Sequence, residues 1–199
     1  MTISSDLQSR LEEGMGKDLS RVLRDARRQV TDILRDADSL EAVDTMAMPV
    51  WDMLAEVLEV AISSSLEEAY IEAAREFSDV LGYGLDESAL QEAAEGWAKT
   101  YSFDLVQGIN QTSQRQLQSI VDKFFEGSMT QKELTRRIAS VFGTGRASTI
   151  AVTEVTRAAA EGQAWVARQL GIEGVTMIAI WETRLDEFVC DRDWETYQR

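Results

Sequence analysis

The chain has 199 residues, of which 44% are hydrophobic, and it carries a formal net charge of -15 at pH 7. This length and composition support a folded core and exclude wholesale disorder. There is no histidine, and Cys190 is the single cysteine, so the sequence excludes histidine-dependent triads and dyads, histidine-bearing zinc sites and an internal disulfide. We expect no cofactor and no metal.

Targeting and membrane signals are missing from the sequence. The N-terminal residues lack the charged and apolar regions of a secretory signal, which makes the cytoplasm the expected compartment. No run approaches the roughly 18 apolar residues of a membrane-spanning helix. Acids are concentrated in residues 51–100, which contain twelve acidic residues and only two basic ones, Arg75 and Lys99. This segment is either a plain solvated acidic face or a surface that repels nucleic acid.

The first predicted element is a long amphipathic helix over residues 4–37, because apolar residues recur there at steps of three and four. A basic series runs beside the apolar stripe at steps of three, four or seven. Its members are Arg10, Lys17, Arg21, Arg24, Arg28 and Arg35. We interpret this basic edge either as a solvated face laced with acids or as a contact for DNA or an acidic protein surface.

The second predicted helix starts at Pro49, the only proline, since proline suits the first turn of a helix. A short helix and a hinge near 38–48 are expected before it, and Gly82 ends it. Six apolar residues are expected to be substantially buried across the helices. They are Leu23, Ile33, Val57, Phe77, Trp97 and Ile150.

Four further helical segments follow in the sequence. Asp86 is a good N-cap for a helix that passes Trp97, and a further helical stretch then continues to Phe124 and ends at Gly127. Thr130 stands three residues before Glu133, which is the spacing of a capping box, and predicts a short helix up to Gly143. A last helix is expected from Thr144 or Gly145 to Leu170-Gly171.

After this helix the composition changes, and the β-branched segment 175–181 predicts a strand within a small β element at 173–192. The expected fold class is mainly α, an elongated multi-helix assembly with a small C-terminal β element that forms an α+β end module. We expect two regions. Residues 1–100 form an N-terminal long-helix region, and residues 101–199 form a second module.

The last third of the chain carries an ordered series of features. It has an arginine–alanine helix start, an isoleucine–alanine–x–threonine–glutamate core, a downstream glycine, a strand that ends in tryptophan, and an aspartate before a valine–cysteine pair. The residues that carry the series are Arg146, Thr153, Glu154, Arg157, Gly162, Trp181, Asp186 and Cys190. This series resembles the phage Mu F-like head morphogenesis (minor head protein) family, over about residues 127–190.

The sequence also departs from the family pattern. The family commonly has a second cysteine three residues after the valine–cysteine pair, and here that position is Asp193. The later histidine–proline and cysteine–arginine segment is absent before Arg199. The metal-binding or compact C-terminal end that those residues imply is therefore not expected in this chain, whether the chain is naturally short or truncated.

The resemblance implies a portal-associated structural component that acts in capsid assembly and DNA packaging or delivery, and it does not imply an enzyme. The implied partners are the portal protein and other capsid proteins, in the virion at the capsid interior or portal vertex, and in the host cytoplasm during assembly. A homo-oligomer and DNA contact stay open, although the net charge favours protein contact. The alternatives are a self-associating helical scaffold or adaptor, and an unrecognised nuclease or toxin.

Each motif residue also has a plain structural interpretation. Glu154 and Arg157 are three residues apart on a helix and can form an ion pair, with Arg146 two turns away on nearly the same side. Gly162 permits close packing of another segment. Trp181 is expected to anchor a core, and Cys190 to be an ordinary thiol.

Overall fold

A computed structural model describes residues 4–37 and 40–175 of the chain. Within these ranges the protein is mainly helical, as expected. The helices are α1 (Ser5–Asp36), α2 (Leu40–Leu81), α3 (Glu87–Phe125), α4 (Gln131–Val141) and α5 (Thr144–Ile172). A β element is predicted at 173–192, and all of it after Val175 lies outside the described residues.

The helix α1 matches its prediction closely. It spans Ser5–Asp36 and buries one face, with Met15, Leu19 and Leu23 each at most 1% exposed. The backbone N–H of Ser4 donates to both carboxylate oxygens of Glu76, at 2.9 and 3.0 Å, and the Gln29 side chain contacts Met53. Since residues early in α1 meet residues late in α2, the two helices are antiparallel.

The prediction for Pro49 is wrong. Helix α2 begins at Leu40 and continues through Pro49, so residues 40–48 form no hinge and the proline is not in the first turn. Val43, Ala47 and Val50 are all at most 5% exposed and extend the buried stripe of α2 towards its N-terminus. Packing of this stripe outweighs the roughly 3 kcal/mol that proline costs inside a helix.

The helix α3 is a single element of 39 residues. Its N-cap is Asp86, as expected, and the Asp86 carboxylate accepts from the backbone N–H groups of Ser88 and Ala89 at 3.0 and 3.1 Å. The boundary expected at residue 100 lies inside this helix. Residues up to Val166 form one compact unit, and a second unit begins at Ala167.

Glycines end three of the helices in left-handed conformation, with φ of 63° at Gly82, 76° at Gly127 and 87° at Gly174. At each site the glycine N–H and the next N–H bond back to carbonyls of the last turn, which is the Schellman pattern. The terminator of α5 is therefore Gly174, and the prediction of Leu170-Gly171 is wrong. The capping box at Thr130 and Glu133 is confirmed.

The core of the first unit contains residues of all five helices, among them Leu23, Leu58, Leu134 and Val155. Of the six residues expected to be buried, Leu23 is fully buried, and Ile33, Phe77, Trp97 and Ile150 are half-buried. Val57 is 43% exposed, so its prediction is wrong, and its neighbour Leu58 is buried instead at 1%. Apolar residues surround much of α2, and periodicity alone therefore does not identify the buried side.

Candidate functional site

The motif helix α5 is joined to α3 through a buried carboxylate. Glu154 is only 6% exposed, and its Oε2 accepts a hydrogen bond of 2.7 Å from the Tyr101 hydroxyl. Arg157 forms an ion pair with the same oxygen, with 3.6 Å between Nη1 and Oε2. The ion pair that the three-residue spacing suggests is therefore present, and it includes a tyrosine from another helix.

Arg157 also contacts Tyr101 directly. Its guanidinium donates to the Tyr101 hydroxyl, and its Cζ lies 5.2 Å from the centre of the Tyr101 ring, within the range of a cation–π contact. The hydroxyl thus accepts from Arg157 and donates to Glu154. We call Tyr101, Glu154 and Arg157 the polar triplet.

Burial determines the electrostatics of the polar triplet. Removal of the Glu154 carboxyl from water raises its pKa above the ordinary value. The bond from Tyr101 and the half-exposed Arg157 supply the partners that a buried carboxylate requires. Because the carboxylate, phenol and guanidinium bind one another, this arrangement holds α3 and α5 together.

An aromatic series continues from the polar triplet towards α2. The rings of Tyr101 and Trp97 are stacked, with centroids 5.1 Å apart and an interplanar angle of 4°. Trp97 in turn contacts Tyr70 of α2, with centroids 5.6 Å apart. Aromatic contacts of this kind add to the stabilisation from burial alone. The series therefore connects α5 to α2 through the N-terminal half of α3.

Gly162 contacts α2 directly. A Cβ atom at this position would overlap the carbonyl oxygen of Tyr70 and would lie 3.0 Å from its carbonyl carbon. A residue with any side chain is therefore too large here unless the two helices move apart. The close packing suggested by the sequence is present, and it places Gly162 against the backbone of the residue whose ring meets Trp97.

Arg146 lies apart from the polar triplet and binds a different set of atoms. Its guanidinium donates to the Val141 carbonyl and the Ser113 hydroxyl, both at 2.9 Å, and to the Ile109 carbonyl at 3.3 Å. Burial lowers the pKa of Arg146. One arginine thus connects the C-terminal end of α4 and the middle of α3 to the first turn of α5.

Of the motif residues that the structure describes, Thr153 takes part in neither the polar triplet nor the contacts of Arg146. Thr153 is exposed, and its hydroxyl donates to the Thr149 carbonyl of its own helix at 2.9 Å. Trp181, Asp186 and Cys190 lie outside the described residues. Sequence reasoning did not assign Tyr70, Trp97 or Tyr101 to the site, although the four-residue spacing of Trp97 and Tyr101 indicates that they share one face of a helix.

The basic edge of α1 consists largely of ion pairs within the helix. Lys17 pairs with Glu13 at 2.6 Å, and three arginines pair with the aspartate three residues earlier, at 2.8 to 3.8 Å. These arginines are Arg21, Arg28 and Arg35. Their side chains are mostly exposed, so this edge is laced with acids and open to solvent.

Two further properties concern the described part of the chain. No helix in it combines the length and the apolar character that a membrane span requires. Within the same ranges, no three acidic or thiol side chains are grouped so that they could hold a metal ion.

Comparison with protein-family models, with curated proteins and with solved structures finds no match for this chain. The resemblance to the minor head protein family therefore depends on the residues from Arg146 to Cys190 alone.

Proposed function

We propose that this chain is a phage minor head protein, a portal-associated structural component that acts in capsid assembly and in DNA packaging or delivery. The observation that carries the proposal is the ordered motif series of the last third of the chain. Five of its residues, from Arg146 to Gly162, lie on α5, and all of these except Thr153 join α5 to other helices. Motif residues that hold helices together suit a structural role.

A role without catalysis is part of the same proposal. In the polar triplet, the groups with general acid or base character are Glu154 and Tyr101, and they are bound to each other and to Arg157. The absence of histidine removes the commonest general base. We therefore assign the polar triplet to packing, and we do not favour the nuclease or toxin alternative.

We propose that the main partner of this chain is another protein and that the chain does not bind DNA. Three arginines of the α1 basic edge, Arg21, Arg28 and Arg35, are paired with aspartates, and the Arg146 guanidinium is engaged by backbone carbonyls. Phosphate binding requires free positive charge, because its affinity comes from displaced counterions. A net charge of -15 opposes it further. The proposed site of action is the virion, at the capsid interior or portal vertex, after assembly in the host cytoplasm.

Two finer features of the fold belong to the proposal as well. We expect the helical part to be elongated, and the β element at 173–192 to complete an α+β end module with Trp181, Asp186 and Cys190. These residues carry the second half of the motif series.

The experiment that tests the proposal is co-expression of the full chain with the portal protein encoded in the same genome. We expect the two to elute together in size-exclusion chromatography, and crosslinking with mass spectrometry to locate the contact. A gel shift with double-stranded DNA at about 150 mM salt, where charges are screened beyond about 8 Å, should show no binding. Separate elution of two folded proteins, or tight salt-sensitive DNA binding, would contradict the proposal.

A further inference from the structure

A groove with a volume of about 840 Å³ runs between α1 and α2. Its α2 wall is apolar and open to solvent, since Met53, Val57 and Val60 are 38%, 43% and 69% exposed. Exposed apolar residues that occur singly are normal on a protein surface, but a contiguous group of them marks an interaction site.

The exposed residues have the spacing of a helix-pairing seam. Met46, Met53 and Val60 are seven residues apart, and Val57 lies between the last two at steps of four and three. This alternation of three and four is the repeat with which two helices pack side by side. Met46 is 42% exposed and extends the seam by two turns beyond Met53. We call these four residues the α2 seam.

The two sides of the α2 seam carry opposite charges. On the α1 side, Arg21 and Arg28 line the groove with side chains 71% and 72% exposed, beside their ion-pair partners Asp18 and Asp25. Residues 17–28 contain five basic residues and only these two acids, so the α1 side carries a net positive charge. On the α2 side, residues 50–68 contain five acids and no basic residue, and Glu56 lines the groove. The groove therefore has a basic edge, an apolar centre and an acidic edge.

We propose that a second copy of this chain covers the groove, with its α2 seam packed against the first and the two α2 helices parallel. A two-fold axis parallel to the helices places the basic edge of each copy opposite the acidic edge of the other. Arg21 and Arg28 of each copy then face the acidic edge of its partner. An axis across the helices would make them antiparallel and would place acid against acid. The patch is thus complementary to itself in the parallel arrangement alone, and two-fold dimers require such self-complementarity.

Sedimentation equilibrium of the full chain tests the existence of the dimer. We expect a monomer–dimer equilibrium, and Val60→Lys should raise the dissociation constant at least tenfold. Val80→Lys is the matched control, because Val80 is 55% exposed on the same helix but does not line the groove. It should leave the dissociation constant unchanged. A wild-type chain that stays monomeric at its highest soluble concentration, or equal effects of the two lysines, would overturn the proposal.

Charge reversal tests the pairing of the edges. Arg28→Glu and Glu56→Lys should each weaken the dimer, because each places like charges across the interface. The double variant restores opposite charges and should recover most of the wild-type affinity. Additive weakening in the double variant would show that the two residues do not face each other across copies. Circular dichroism of each variant separates this result from loss of fold.

Cysteine crosslinking tests the orientation, in a Cys190→Ser background that removes the native thiol. In a parallel pair, Met53→Cys and Val60→Cys each lie opposite their own counterpart, and each should form a disulfide-linked dimer. In an antiparallel pair at most one of them can, because the positions are about 10.5 Å apart along the helix and a disulfide needs Cα atoms within about 7 Å. Crosslinking at one position or at neither overturns the parallel arrangement. The inference does not depend on the portal role, since every measurement uses this chain alone.

Discussion

The backbone carbonyl oxygen of Tyr70 on α2 lies against Gly162 on α5, so close that a Cβ atom at position 162 would overlap it. Gly162→Ala should therefore destabilise the fold by about 1–3 kcal/mol, the usual cost of an overpacked interior. The measurement is the urea midpoint of the full chain.

Gly108→Ala on α3 is the control for this effect. Gly108 is exposed and helical, and a Cβ atom there meets nothing within 4 Å. Alanine at this position should stabilise the chain by about 0.5–1 kcal/mol, because glycine is a poor helix former. A stabilising Gly162→Ala would mean that α2 and α5 are not in close contact.

The Tyr101 hydroxyl is the second target, because it donates to a buried carboxylate on another helix. Tyr101→Phe should cost about 1–3 kcal/mol, since Glu154 then loses a hydrogen bond that water cannot readily replace. The cost should be smaller in a Glu154→Met background, where no carboxylate needs a donor. Equal costs in the two backgrounds, measured by urea denaturation in a double-mutant cycle, would show that the two side chains do not interact.

The raised pKa of Glu154 predicts that the unfolding free energy of the chain depends on pH, and it also gives the sign of that dependence. The neutral carboxyl is favoured in the folded state, so its contribution to stability is fully present below the unfolded pKa of about 4.3. The contribution is lost as the pH rises through the folded-state pKa. Glu154→Gln is neutral at every pH and still accepts from Tyr101, so it should gain stability relative to wild type as the pH rises from about 4.3 to 7.

The other carboxylates titrate in both the wild-type chain and the Glu154→Gln variant. The difference between their unfolding free energies therefore reports on Glu154 alone. Urea midpoints at several pH values give the difference in unfolding free energy. A difference that stays constant or shrinks towards neutral pH would mean that Arg157 compensates fully for the burial of Glu154.

The contacts of Arg146 lead to a fourth prediction for stability. Arg146→Ala should cost at least about 2 kcal/mol, because one hydrogen bond to a charged group contributes about 1.5–3 kcal/mol and the guanidinium makes three bonds. Lysine cannot reproduce the planar fork and should rescue only part of the loss. The control is Arg136→Ala on the exposed side of α4, which should change stability by less than about 0.5 kcal/mol. Full rescue by lysine would show that charge alone matters.

The predictions from sequence were confirmed for features that depend only on residues close together in the chain. The caps at Asp86 and Thr130 and the glycines at 82 and 127 depend on residues within one or two turns. The length of α1 was predictable for the same reason, since its apolar stripe repeats without interruption. Pro49 shows the limit of local rules, because the packing of Val43 and Ala47 against the rest of the core decides whether the helix continues.

The candidate site could be predicted only in part. The ion pair of Glu154 and Arg157 follows from a three-residue spacing, but the Tyr101 hydroxyl comes from 53 residues away. The partners of Arg146 on α3 are 33 and 37 residues distant. Such contacts depend on how the helices are placed in space, and spacing within one helix carries no information about that.

The last prediction concerns two neighbouring residues on α2 that the apolar pattern does not distinguish. Leu58 is 1% exposed and Val57 is 43% exposed, although both belong to the same apolar series. Leu58→Ala should cost about 2–5 kcal/mol through the lost transfer energy and the cavity left behind. Val57→Ala should change the unfolding free energy by less than about 0.5 kcal/mol, as exposed substitutions usually do. The urea melts are made at low protein concentration, because Val57 lies in the α2 seam and would also affect a dimer. Comparable losses in both variants would mean that the buried side of α2 is rotated towards Val57.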